Sequence, residues 1–192
     1  MQVTINANGK SIKAEISEEQ AKILGLVTDK PKTGYERTKI GETYYVINTE
    51  DDSMIKITEF NDQEDEQCYD KGNYYSNKMI AENNARADRL LRRLRQWQAQ
   101  NDRAVTKKDW GNSLARKFRI KYNHFDDKLM MVGEEYFQDV NVIYFSSMEK
   151  ADEAIEQFKD ELLWYFTEYV QRLDEAQNGK RTIMLDVSER LR

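Results

Sequence analysis

The hydrophobic pattern divides the chain into three stretches. In the first, Val3 and Ile5 alternate with polar residues before Asn8–Gly9, and Ile12, Ala14 and Ile16 alternate after it. Alternation on both sides of Asn-Gly predicts a hairpin. Ser17 with Gln20 three residues on forms a capping box, and Ile16 and Ala21 stand at staple positions. Gly25 closes the short helix this predicts. Residues 1–26 therefore read as a small ββα appendage. Residues 27–41, with Pro31, Gly34 and Gly41, read as a linker.

The second stretch, 42–100, has β-branched and aromatic runs at 43–48 and 54–60, which predict two strands. An acidic loop at 61–67 and a third short strand within 68–75 follow. From Ser76 the spacing of Ile80, Ala87, Leu91 and Leu94 predicts a helix to about Gln100. After a connector at 101–116, the third stretch, 117–177, repeats the plan. It has strands at 117–122 and 128–133, a short strand at 141–145, and one long helix from Ser146 to about Leu173. That helix has Met148, Ala151, Ile155, Phe158, Leu162, Tyr165, Tyr169 and Leu173 along one stripe. Ser146 is the expected N-cap, with Glu149 completing a capping box. Residues 178–192 form a tail with a possible strand at 182–187.

The last two stretches align with each other. Tyr74–Tyr75–Ser76 matches Tyr144–Phe145–Ser146, Ala81 falls on Ala151, and the Asp51–Asp52 turn matches Asp126–Asp127. The fold class expected is α+β: an N-terminal ββα unit followed by two repeated ββ(β)α units, antiparallel sheets covered by long amphipathic helices.

Composition narrows the setting. The 192 residues suffice for a core without disulfides, and the single cysteine, Cys68, cannot bridge internally. With no signal-peptide pattern and no long apolar run, the expectation is a protein of the cytoplasm with no membrane partner. A net charge of -5 disfavours bulk attraction to nucleic acid. The charge is segregated, however. Residues 42–70 are acidic throughout, with Lys56 the only base, whereas 86–108 carries Arg86, Arg89, Arg92, Arg93, Arg95, Arg103, Lys107 and Lys108 against Asp88 and Asp102.

No catalytic, metal or cofactor pattern stands out. His124 is the only histidine and sits in a turn. A zinc site needs more Cys and His than Cys68 and His124 supply. Neither a nucleophile elbow, a phosphate-binding loop nor a dinucleotide fingerprint occurs. Two surfaces remain as candidates for a partner. One is the acidic run with Glu59, Asp62, Glu64, Asp65 and Glu66. The other is the helical face with Arg86, Arg89 and Arg93 and nearby Trp97, which suits phosphates and base stacking or serves as a solvated or internally paired face. Trp164 lies off the apolar stripe. A restart of the helix near Lys159–Asp160 turns it inward; in a continuous helix it is exposed on an interaction surface, and burial in a homodimer is a further option.

Four motifs, Gly34–Tyr35–Glu36–Arg37, Gly41–Glu42–Thr43–Tyr44–Tyr45, Ile143–Tyr144–Phe145–Ser146–Ser147 and the run from Glu161 through Trp164 to Tyr169, carry a resemblance. The chain resembles a family of proteins from phages and mobile elements of Gram-positive bacteria. The resemblance implies an accessory protein made in the host-cell cytoplasm. Its expected role is to bind and inhibit a host protein, including a defence effector such as a CRISPR nuclease, without being an enzyme. The alternative is a nucleic-acid-binding accessory protein using the basic 86–108 region.

Overall fold

The computed structural model describes residues 2–7, 10–24 and 32–174. Two compact units divide the chain, Met1–Thr33 and Gly34–Arg192. No described helix is long and apolar enough to cross a membrane. The expected Asn8–Gly9 turn, the Gly25 stop and the strand at 182–187 lie outside the described residues.

In the first unit, β1 (Gln2–Ala7) pairs antiparallel with β2 (Lys10–Glu15), so that Val3 faces Ala14 and Ile5 faces Ile12. Helix α1 (Glu18–Ile23) starts at the expected capping box: Gln20 N–H donates to Ser17 Oγ at 3.1 Å and Ser17 N–H to Gln20 Oε1 at 2.9 Å.

The second unit is mixed α and β. Its first hairpin joins β3 (Thr43–Ile47) to β4 (Met54–Thr58), and its second joins β5 (Lys117–Asn123) to β6 (Lys128–Glu134). The third strands expected at 68–75 and 141–145 contract to single bridging residues. Tyr75 exchanges both backbone hydrogen bonds with Tyr45 (2.8 and 3.0 Å), and Phe145 exchanges both with Phe118 (2.9 and 2.7 Å). In each hairpin turn the second aspartate, Asp52 (φ 59°) or Asp127 (φ 49°), takes the left-handed conformation that Asp tolerates.

Period-two alternation sends the side chains of β3 to both faces. Tyr44 and Val46 pack with Tyr74, Ile57 and Cys68, where α2 (Gln63–Asp70) lies. Tyr45 and Ile47 pack on Tyr75, Ile80 and Ala81, where α3 (Lys78–Asn101) lies. The hairpin is therefore covered on both faces. The expected acidic loop is α2, because Asp62 caps it: its side chain accepts from the N–H groups of Glu64 and Asp65 and forms a capping box with Asp65. The strand expected from Cys68 is helical as far as Asp70 for the same reason.

Helix α3 is the common spine. Its 24 residues span about 36 Å. Its N-terminal half buries Ile80, Ala81 and Ala85. Its C-terminal half contributes Leu90 and Leu94 to a second cluster around Phe145, Ala151, Ile155, Phe158 and Leu162, against which Phe118, Ile120, Leu129 and Met131 of the second hairpin pack. After α3, Thr106 caps the short helix α4 (Lys107–Trp110).

The long helix expected from Ser146 to Leu173 is two helices, α5 (Met148–Gln157) and α6 (Lys159–Thr167), broken at Phe158 (φ -120°, ψ 20°). The break re-phases the apolar stripe, so Leu162 and Trp164 both turn inward. Beyond α6 the chain returns to α3: Tyr169 Oη donates to Asn84 Oδ1 at 2.8 Å, and Asn83 Nδ2 donates to the Val170 carbonyl at 3.1 Å. The caps also differ from expectation by one residue. Asn77 and Ser147 cap α3 and α5, while Ser76 Oγ bonds Glu36 and Ser146 donates from both its N–H and its Oγ to Asp102.

Gly34 is a tight point. Its φ is +97°, and a Cβ built there would lie 2.8 Å from Ile80 Cγ1, a fully buried side chain. Gly34→Ala is expected to lower the unfolding free energy by about 2 kcal/mol, read as a lower urea midpoint at unchanged m-value. An unchanged midpoint would contradict this packing.

Candidate functional site

The acidic candidates divide by burial. Glu59 and Asp65 are 1% and 2% exposed and turn away from any partner, contrary to the expectation of a presented acidic loop. Glu59 accepts from Tyr74 Oη (2.5 Å), Asn61 N–H (2.9 Å) and Arg37 Nη2 (3.2 Å). Arg37 reaches on to Glu66 and lies over the Tyr69 ring. The hydrogen bonds it donates to Glu66 and Glu59 hold the guanidinium well above its usual range. Asp65 accepts from Tyr44 Oη (2.7 Å) and from the N–H groups of Phe60 (2.8 Å) and Asp62 (3.2 Å). The Tyr44 and Tyr74 rings stack at 3.9 Å between the two carboxylates. Asp62, Glu64 and Glu66 of this group stand exposed. The network is a buried clamp between residues 37–38, the hairpin and α2.

Burial alone would push the Asp65 carboxyl up. The hydrogen bonds from Tyr44 and from the backbone at Phe60, Asp62 and Asn61 outweigh it and hold the carboxyl below the usual range. The stability this contributes is fully present above the unfolded value of about 3.9 and is lost as pH falls through the lower folded value. Wild type is accordingly expected to lose stability steeply below about pH 4, and Asp65→Asn to lose less over the same interval. Parallel acid limbs in urea unfolding would show that Asp65 is not the group responsible.

The arginine face is spoken for. Asp52, at the first hairpin turn, faces Arg92 Nη2 at 2.5 Å and Arg89 Nε at 3.8 Å. Arg86 Nε pairs with Glu161 Oε2 at 3.1 Å, and its guanidinium carbon lies 3.9 Å from the Trp164 ring. Arg93 lies over Phe158 at 5.2 Å. Trp164 is 8% exposed, which matches the inward position of a restarted helix. These contacts tie α3 to the first hairpin and to α6. Among the described residues Arg93 and Arg95 are the arginines of α3 without a carboxylate partner. Arg95 instead bonds Asn141 Oδ1.

Trp97 is half-buried, edge-on to Phe145 at 6.1 Å, and borders a cleft with Asp152, Glu153 and Glu156 of α5. Also along α3 runs an apolar cleft of about 230 Å³, walled by Leu91, Ile120, Ile143, Phe145, Tyr165 and Phe166. It shares Val142 and Ile143 with a polar cleft of about 330 Å³ that holds Arg95, Gln98, Gln138, Trp110 and Tyr144.

Several members were not singled out by the sequence pattern. Arg37 lay in the linker, and Tyr44 and Tyr74 read as strand residues. Lys117 is 1% exposed, its Nζ donating to the Asp109 carbonyl at 2.8 Å and to the Glu135 carbonyl, with the Trp110 ring at 4.8 Å. In the run Lys117–Arg119–Lys121 nothing marks the first as buried. The paired tyrosines were the available signal for the Glu59 clamp. His124 is exposed and edge-on to Tyr122 at 4.9 Å, and Cys68 is half-buried in the Tyr44 cluster. Among the described residues no group of three or more His, Cys, Asp or Glu is placed to hold a metal ion. Comparison with protein-family models, curated proteins and solved structures returns no match.

Proposed function

We propose that the chain is a non-enzymatic accessory protein that binds a host protein and inhibits it, with a defence nuclease among the candidate targets. The observation that carries this reading is the disposition of α3. Arg86, Arg89 and Arg92 are engaged by Glu161 and Asp52, so a phosphate backbone would have to displace carboxylates already in place. Beside the same helix lies an open concave surface of half-buried apolar groups, the kind that protein partners cover. Large exposed side chains at Tyr136, Phe137 and Val140 add to the apolar surface of this half.

The scaffold reading goes with it. Two duplicated ββα-type units are supported by the matching hydrogen-bond pairs at Tyr45–Tyr75 and Phe118–Phe145 and by the two left-handed aspartates at the hairpin turns. Features common to both halves then serve the fold, and the differing surfaces around 91–98 and 135–143 serve recognition. An affinity-tagged full chain, incubated with lysate of a Gram-positive host, is expected to retain one stoichiometric protein whose activity falls on titration with the purified chain. Failure to retain any stoichiometric protein, with defence nucleases present in the lysate, would sink the proposal.

A further inference from the structure

We infer that the adjoining clefts along the C-terminal half of α3 bind a protein segment that places a carboxylate beside a large apolar side chain. Three observations converge on this occupant. Leu91, Ile120, Val142, Ile143, Tyr165 and Phe166 are all only half-buried, yet they wall one concavity. Lone exposed apolar residues are ordinary on a protein surface, whereas several converging in a cleft mark a contact surface. Across the shared wall of Val142 and Ile143 stands Arg95. Its neighbours Arg86, Arg89 and Arg92 face the carboxylates of Glu161 and Asp52, but Arg95 holds only the amide oxygen of Asn141. An incoming carboxylate is a stronger acceptor than that amide and matches the guanidinium in two-pronged fashion.

Charge complementarity thus selects an anion at Arg95, and the apolar walls select a large hydrocarbon side chain next to it. From Leu91 to Gln98 the clefts follow α3 for about 10 Å, open along their length. An elongated peptide segment suits such a groove, whereas a small ligand is normally enclosed over most of its surface. The inference rests on the protein-binding reading above and names the chemistry of the partner's contact.

The test uses the full chain with methyl and arginine side-chain NMR labels. The probes are a capped alanine-based helical peptide carrying Leu and Glu one turn apart, a counterpart with Lys in place of Glu, and octanoate. The Leu/Glu peptide is expected to shift the methyl signals of Leu91, Ile120 and Ile143 and the Arg95 Nε signal saturably. The Lys counterpart is expected to bind about fivefold more weakly, and Arg95→Glu to reverse that order, its fold checked by circular dichroism. Equal binding of the two peptides, shifts confined to other surfaces, or no saturable shift at millimolar peptide would overturn the inference. So would shifts of the cleft methyls by octanoate alone, which mark a small amphiphile, or by dilution without peptide, which mark a second copy of the chain. A stoichiometric host partner captured equally by wild type and Arg95→Glu would remove the cleft from the account and leave the protein-binding reading standing.

Discussion

Phe145→Ala is expected to lower the unfolding free energy by about 4 kcal/mol. Phe145 is 1% exposed and sits where α3, α5, α6 and the second hairpin meet. Its ring packs among Leu90, Leu94, Ile155 and Leu162 and receives Trp97 edge-on. Truncation removes the transfer free energy of a whole ring and leaves a cavity whose walls belong to four separate elements. A site walled that way collapses poorly, which places the cost toward the upper part of the range for aromatic truncations. The backbone pair with Phe118 survives the substitution, so the loss belongs to packing. Phe145→Leu, which keeps most of the volume, is expected to cost about 1.5 kcal/mol. Chemical unfolding of both variants checks the ratio, and similar losses for Ala and Leu would place the cost in the backbone bridge.

Glu59→Leu is the second large effect, expected at about 3 kcal/mol. The carboxylate is buried and accepts from Tyr74, Asn61 and Arg37. Leucine fills much of the space but leaves the Tyr74 hydroxyl with Thr38 alone and the Asn61 N–H without its acceptor, and the lost hydrogen bonds carry the cost. The Arg37 guanidinium is 27% exposed and keeps Glu66, so it recovers part of its loss in water and the total stays below that of a fully buried pair. Glu59→Gln preserves an acceptor for Tyr74 and is expected to lose about 1 kcal/mol. The same stability for Gln and Leu would show that hydrogen bonding at Glu59 contributes nothing.

Elements fixed by local chemistry were legible from the sequence. The strands of the later hairpins followed from β-branched and aromatic runs, the start of α1 from Ser17 and Gln20, and most of α3 from its apolar spacing. The acidic run was misread because its composition looked like a loop. Asp62 and Asp65 are a capping box, and the usual signature has Ser or Thr followed by Glu or Gln, so an Asp-x-x-Asp pair inside a run of acids does not stand out. The break at Phe158 has no Pro or Gly to announce it. It follows from tertiary packing, which buries Phe158 and Leu162 in one cluster and Trp164 against Arg86 and Tyr169. Charge segregation and the option of an internally paired basic face were visible, but the partners were not: Arg92 with Asp52 and Arg86 with Glu161 join residues distant in sequence. The same holds for Arg95, whose amide partner Asn141 lies far along the chain.

On this reading Arg86, Arg89 and Arg92 of α3 serve the fold, and recognition belongs to the apolar surface and Arg95 beside them. Fluorescence anisotropy of labelled single-stranded and double-stranded DNA and RNA, titrated with the full chain from low to physiological salt, tests it most directly. No saturable binding is expected even at low salt, together with a loss of stability when Arg89 and Arg92 are both changed to Glu. Saturable binding that weakens steeply with salt and disappears in Arg89→Glu with Arg93→Glu, with stability unchanged, would contradict it.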